Sequence, residues 1–261
     1  MKSKIRSWSI RISAFVAVCF TAIVLTVLSP GLLYAKTTVV ESYTVYHDET
    51  LPTSFDKRLS EVHELISTSE LYDSSFQLKL CLNDGSFYPT LLEVLRGPAF
   101  GWGYLNISTF RGQADYEKNT ITINGYNWNL TQLYAHEITH CLQTMSLGIL
   151  QTNPFAGHDH WKWEGYPEYI ARKNQDQLSL VNNIRRYKQS VKNDPKAWGI
   201  FFDDGTVSPR SYYRAWIMVQ FCMEEKHMTY KDLLKSSISE QDIEQEMMAW
   251  YSTALDTNMS F

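Results

Sequence analysis

The sequence predicts an α+β fold: a small mixed-sheet lobe over residues 36–125, followed by a mainly helical lobe over residues 126–261. Two observations carry this. Up to about residue 125 the apolar residues recur at both strand and helix periods, whereas beyond Asn129 the helical period dominates. Pro and Gly are also too sparse to mark a flexible linker, and no internal repeat is apparent, so both lobes are expected in one domain. With 261 residues, 44% hydrophobic and 20% charged, the chain is long and apolar enough to bury a large core. Twenty-four basic against 28 acidic residues leave no polybasic surface for phosphate backbones, so no nucleic acid is expected as a partner.

At the N-terminus, Lys2, Lys4, Arg6 and Arg11 precede fifteen uncharged, mostly apolar residues from Ala14 to Leu28. This is the pattern of an export signal. Fifteen residues is the upper limit of a cleavable core, and Leu33 fits the small-residue rule poorly for cleavage at Ala35. An uncleaved anchor that inserts in the membrane is therefore favoured over a removed signal. Either way the basic residues stay inside, and residues from about 36 onward lie outside the cytoplasm.

In the first lobe, "TTVVESYTVYH" alternates like a strand. "SFDKRLSEVHELISTSEL" opens on a Ser cap before Leu59, Val62, Leu65 and Ile66 fall at helical spacing. "FQLKLCL" and "NTITING" read as further strands, with "GWGYLNISTF" weaker between them. Helices are expected at roughly 130–147, 167–191, 210–226 and 240–252. Cys19 lies in the apolar segment. Cys81, Cys141 and Cys222 remain, and they allow one disulfide or three buried thiols without Cys-based metal spacing. Asn106, Asn129 and Asn258 each begin an N-x-[ST] triplet.

The chemistry concentrates in "LTQLYAHEITHCLQTMSL". Asn129 is placed as its N-cap with Gln132 at the third helical position, and Gly148 terminates it. At 100° per residue, Leu133, His136, Glu137, His140 and Thr144 share one face, and Tyr134, Ile138, Cys141, Leu142 and Met145 form an apolar one. Two imidazoles one turn apart reach a single zinc ion, and Glu137 between them is placed to take a proton from water. The motif comes directly after the edge-strand candidate "NTITINGYN", a setting in which an extended peptide binds beside a metal. The bland alternative is a helix whose histidines only make hydrogen bonds.

A catalytic zinc needs a third protein ligand. His158, His160, Glu164 and Glu168 in "GHDHWKWEGYPEYIAR" are the candidates. The metzincin arrangement is excluded, because Ser146 stands where its third histidine would be and Gln143 replaces its glycine. A glutamate on a second helix is the better choice.

At these residues the chain resembles the gluzincin metallopeptidases, the superfamily that includes thermolysin and the aminopeptidase N-like enzymes. In the latter, HExxH is followed by a string of the form W-x-x-E-G-[FY]-A-x-Y. Here "WKWEGYPEY" begins 21 residues after His140, with Trp161, Glu164, Gly165, Tyr166 and Tyr169 in place. The resemblance implies a zincin-like fold and makes Glu164 the third zinc ligand. It departs at Pro167, where Ala is usual; proline suits a first helical turn and is expected to move the helix start. In thermolysin-like members an acidic residue at the offset of Glu168 orients a zinc histidine; a solvent-facing carboxylate is the alternative here. The string "YYRAWIMV" resembles the segment whose tyrosine stabilises the oxyanion. It implies Tyr212, with Tyr213 the competitor if the register slips by one and a packed structural tyrosine as the bland reading. No G-x-M-E-N-like string is found, so exopeptidase activity is not implied. The resemblance covers roughly residues 120–220.

The expectation is therefore a zinc-dependent metallopeptidase acting on a peptide or protein substrate. His136, His140 and Glu164 would bind Zn²⁺, with Glu137 as general base and Tyr212 as oxyanion donor. The alternative from another class is a non-catalytic envelope protein of the same fold acting in binding or assembly. Glu137 speaks against it, since a structural zinc site has no use for a base.

Overall fold

The computed structural model describes residues 2–152, 157–173 and 178–258, and the fold is mixed α and β. Helix α1 (Lys2–Leu28) contains the apolar run and continues through a 3₁₀ turn at Pro30–Leu33 into the body. Strands β1 (Lys36–Val40) and β2 (Tyr43–His47) form an antiparallel hairpin. The expected single strand over this stretch is therefore two. Glu41, at φ 51°, reverses the chain between them.

Helix α2 (Phe55–Ile66) buries Leu59, Val62, Leu65 and Ile66, as the spacing requires. Ser54 does not cap it: its backbone is itself helical and its hydroxyl makes no cap bond. Next come β3 (Leu78–Cys81), α3 (Tyr88–Arg96), β4 (Gly101–Tyr104) and β5 (Ile107–Phe110). The main sheet has the order β1-β2-β3-β5-β4, with β3 parallel to both its neighbours and β4 antiparallel at the edge. A second sheet of β6 (Gln113–Asp115), β7 (Thr120–Ile123) and β8 (Tyr126–Asn129) is antiparallel throughout. The expected edge strand "NTITINGYN" thus contains the central strand, β7, of this small sheet.

Helix α4 (Leu130–Leu147) has the expected bounds. Asn129 Oδ1 accepts from the Gln132 N–H at 3.0 Å, so this amide is spent on the cap. Gly148, at φ 84°, closes the helix by donating its N–H to the Thr144 carbonyl. Although the helix is amphipathic in sequence, all residues from Leu130 to Gln143 are buried. Tyr134, Ile138, Cys141 and Leu142 enter the main core, and the histidine face lies under β4.

The short helix α5 (Ile149–Thr152) precedes α6 (His160–Ala171) and α7 (Leu180–Asn193). The expected helix at 167–191 is therefore two, of which the first starts seven residues earlier, and residues 174–177 lie outside the described part. Pro167 sits inside α6, not in its first turn. Its missing N–H frees the Trp163 carbonyl, which accepts instead from Gln143 Nε2 at 3.1 Å. A hairpin of β9 (Gly199–Phe201) and β10 (Val207–Pro209) leads into α8 (Arg210–Glu224), followed by α9 (Tyr230–Lys235) and α10 (Glu240–Asn258). Helices α6 and α8 pack closely: a Cβ on Gly165 would lie 2.5 Å from the Ala215 carbonyl oxygen. All four cysteines are free thiols, with Cys81, Cys141 and Cys222 buried.

Candidate metal centre

A cleft of about 440 Å³ lies above the histidine face of α4. Its floor is His136, Glu137 and His140, one wall is Phe100–Gly103 of β4 and the segment before it, and the other is Glu164 of α6 with Tyr212 of α8. The helical period places the first three residues side by side. Glu164 arrives because α6 packs across α4.

His136 Nε2 and His140 Nε2 are 3.2 Å apart, and each stands 3.3 Å from Glu164 Oε2. Two donor atoms each 2.0–2.1 Å from a common centre at the tetrahedral angle stand about 3.3 Å apart, so the triangle has the dimensions of a metal-binding face. The three residues are placed to bind a metal ion.

The outer contacts set the tautomers. The Gln143 side-chain amide donates to the Trp163 carbonyl and to the Tyr230 hydroxyl at 2.6 Å, which leaves Oε1 to accept from His140 Nδ1 at 2.7 Å. On the other ring, His136 Nδ1 is 3.0 Å from Glu168 Oε1, an ionic contact whose angle falls short of a linear hydrogen bond. In the neutral rings that bind a metal, both Nε2 lone pairs aim at the point that Glu164 also faces. Three converging lone pairs repel one another unless a cation lies among them, and this donor set fits a divalent ion.

The carboxylates favour positive charge at this point. Burial disfavours a positive His136, yet Glu164 and Glu168 outweigh it and raise its pKa to about 10. Burial likewise opposes charge on Glu164, but His140 and His136 hold it well below the usual carboxylate range. For Glu168 burial is outweighed by Arg172 and His136, which pull it down to about 2. Arg172 fixes Glu168 through Nε at 2.5 Å, and its remaining donors reach Gln132 Oε1 at 3.1 Å and Ser208 Oγ at 2.9 Å. Glu137 differs: burial raises its pKa, only partly offset by His136 and His140, as suits a group that takes up a proton.

Glycine lets β4 come this close. A Cβ on Gly103 would lie 2.0 Å from the Glu137 carbonyl oxygen and 2.7 Å from His140 Cβ. Of the paired tyrosines, Tyr212 lines the cleft with its ring 5.9 Å from that of His136, whereas Tyr213 is fully buried against Trp216 and Phe202. Burial, then Glu164, Glu137 and Glu168, push the Tyr212 phenol upward, so it stays protonated and able to donate. His158 and His160 stand outside the triangle: His158 stacks on Trp163, and His160 meets the Tyr212 ring edge-on.

Gln143, Arg172 and Gly103 belong to this site although sequence reading assigned them no part in it. For Gln143 one signal was present, since a glutamine three residues after His140 lies on the same helix face. No protein-family model matches the chain, and no curated protein matches it.

Proposed function

We propose that the protein is a zinc-dependent metallopeptidase of the gluzincin type with a zincin-like fold, held to the membrane by α1 with its remaining chain outside the cytoplasm. The observation that carries the reading is the triangle of His136, His140 and Glu164, with Glu137 beside it and Tyr212 across the cleft. His136, His140 and Glu164 would hold the metal, and Glu168 and Gln143 orient the two rings. A bound zinc ion supplies Lewis acidity, easing deprotonation of water and polarising a carbonyl.

The chain's own groups supply the rest. Glu137, buried and with a raised pKa, accepts the proton of the attacking water and passes it to the departing amine. Tyr212 donates its phenolic proton in a hydrogen bond to the oxyanion. Strand β4 is the sheet's edge and lines the cleft, so an extended peptide can add to it through backbone hydrogen bonds. Supporting the anchor, Arg11–Leu28 is a helical segment with mean hydropathy 2.2 and none of it buried.

The test is Glu137→Gln, assayed on a mixed peptide library by mass spectrometry beside a metal assay. Zinc stoichiometry is expected to stay at wild type while hydrolysis falls by about 10²- to 10⁴-fold. Unchanged hydrolysis would exclude the mechanism. A wild-type protein that holds zinc but cleaves nothing would favour the non-catalytic reading.

A further inference from the structure

Helix α3 is apolar on two faces. Tyr88 and Leu92 are buried, in a cluster that includes Tyr34 and Trp102 and takes in Val27 and Leu33. Phe87 at the N-cap and Leu91, Val94 and Leu95, at relative positions i, i+4, i+7 and i+8, form a second stripe beside the buried one, with Leu91 half-buried. That stripe is open: Phe87 is 61%, Val94 76% and Leu95 44% exposed. A soluble helix would carry polar residues there.

The location of α3 says what covers the stripe. The carbonyl of Val27, in the last turn of α1, accepts from the Tyr88 hydroxyl at 2.7 Å and from the Tyr104 hydroxyl at 3.0 Å. These bonds satisfy a helix-end carbonyl and tie α1 to α3 and β4. Behind them the connecting turn is built into the body, with Pro30 and Tyr34 buried, the Tyr34 hydroxyl on the Leu82 carbonyl at 2.8 Å, and the Ala35 N–H on Asp48 Oδ1 at 2.7 Å. The apolar span of α1 ends at Leu28, one residue past Val27. Eighteen helical residues extend about 27 Å, close to the thickness of a bilayer's hydrocarbon core. The edge of that core therefore falls at Leu28, level with the docked α3. Leu32, 72% exposed, adds apolar surface in the turn after α1, and exposed Lys36 and Arg96 follow the turn and the α3 stripe in sequence, as at a headgroup boundary.

We infer that the Phe87–Leu91–Val94–Leu95 face of α3 lies in the outer interface of the same bilayer that α1 spans, as a second membrane contact. This rests on the reading of α1 as a membrane anchor. The consequence is positional: Arg96, Pro98, Ala99 and Phe100 come directly after α3's apolar stripe and form the rim of the cleft. With two contacts the cleft is held at a fixed height, its α3-side rim at the membrane surface.

The full-length protein is reconstituted in phosphatidylcholine–phosphatidylglycerol vesicles carrying a nitroxide at a shallow or a deep acyl position. An environment-sensitive fluorophore is placed on native Cys19 in α1 or, in a Cys19→Ser background, on Val94→Cys in α3; both positions are exposed, so folding is undisturbed. The expected result is that the Val94→Cys label is blue-shifted and loses most of its emission to the shallow nitroxide, while the Cys19 label is quenched by the deep one. A quenched Cys19 label with an unquenched, water-like Val94→Cys label overturns the α3 contact and leaves the anchor standing. Loss of quenching at both positions overturns both.

Discussion

Each metal-facing histidine is held by a different kind of partner. His136 faces a carboxylate that is itself pinned by Arg172, while His140 is held by the amide of Gln143. The amide has no charge to lose, and its two donors are spent on Trp163 and Tyr230, so its oxygen is obliged to face the ring. Gln143→Leu removes that acceptor and frees the ring to rotate. Zinc affinity, measured by competition with a chelator, is expected to fall about 10- to 100-fold. Tyr212→Phe keeps the ring against His136 but removes the donor. It is expected to leave zinc affinity unchanged and to lower kcat by about 10²- to 10³-fold, whereas Tyr213→Phe, deep in the core, leaves kcat alone.

At the scale of elements, the site is made by three crossings: β4 over α4, α6 across α4, and α6 against α8. Two depend on glycine. At Gly103 an added methyl would overlap the Glu137 carbonyl, which is backbone and has nowhere to move. Gly103→Ala is expected to destabilise the protein by about 1–3 kcal/mol in thermal or denaturant melts. It is also expected to reduce the proposed hydrolysis, because β4 must lift from α4. Pro167 belongs here too. An interior proline removes a helix hydrogen bond and crowds the preceding turn, and here the freed carbonyl becomes the anchor for Gln143. The proline that was expected to move the helix start instead joins α6 to Gln143, the residue that holds His140 on α4.

For the molecule as a whole, three carboxylates and two imidazoles are gathered at one site, where Arg172 pairs with Glu168 and His136 stands between Glu164 and Glu168. Gathering carboxylates in a buried site opposes folding unless positive charge joins them, as a proton on His136 or as a metal ion. Zinc should therefore stabilise the folded chain by mass action, by about 2.7 kcal/mol at a free concentration one hundred times Kd. Calorimetry with added zinc and then with chelator is expected to show Tm rising and falling, and His136→Ala is expected to abolish the response.

Helix α4 was legible from the sequence because its information is local. Capping by Asn129, closure by Gly148 and the one-turn spacing of His136 and His140 all arise from a period of 3.6 residues and the needs of helix ends. The placing of Glu164 needed a resemblance to a known string, since no local rule links two helices. What remained lay in contacts between elements distant in the chain. The stretch "GWGYLNISTF", expected as one weak strand, is two, β4 and β5, because Leu105 at φ 50° reverses the chain between them, and the two glycines of β4 let it lie against α4. The expected edge strand proved central to a small sheet, because pairing order leaves no trace in one strand's residues. Tyr212 and Tyr213 have the same side chain one position apart. The packing of α8 on α6 alone turns one into the cleft and the other into the core. The sequence by itself thus determined which side chains could share a metal and on which helix face. Only the tertiary structure decided which partners hold them, which strand covers them and which phenol faces them, because those choices come from packing between segments whose spacing along the chain carries no period.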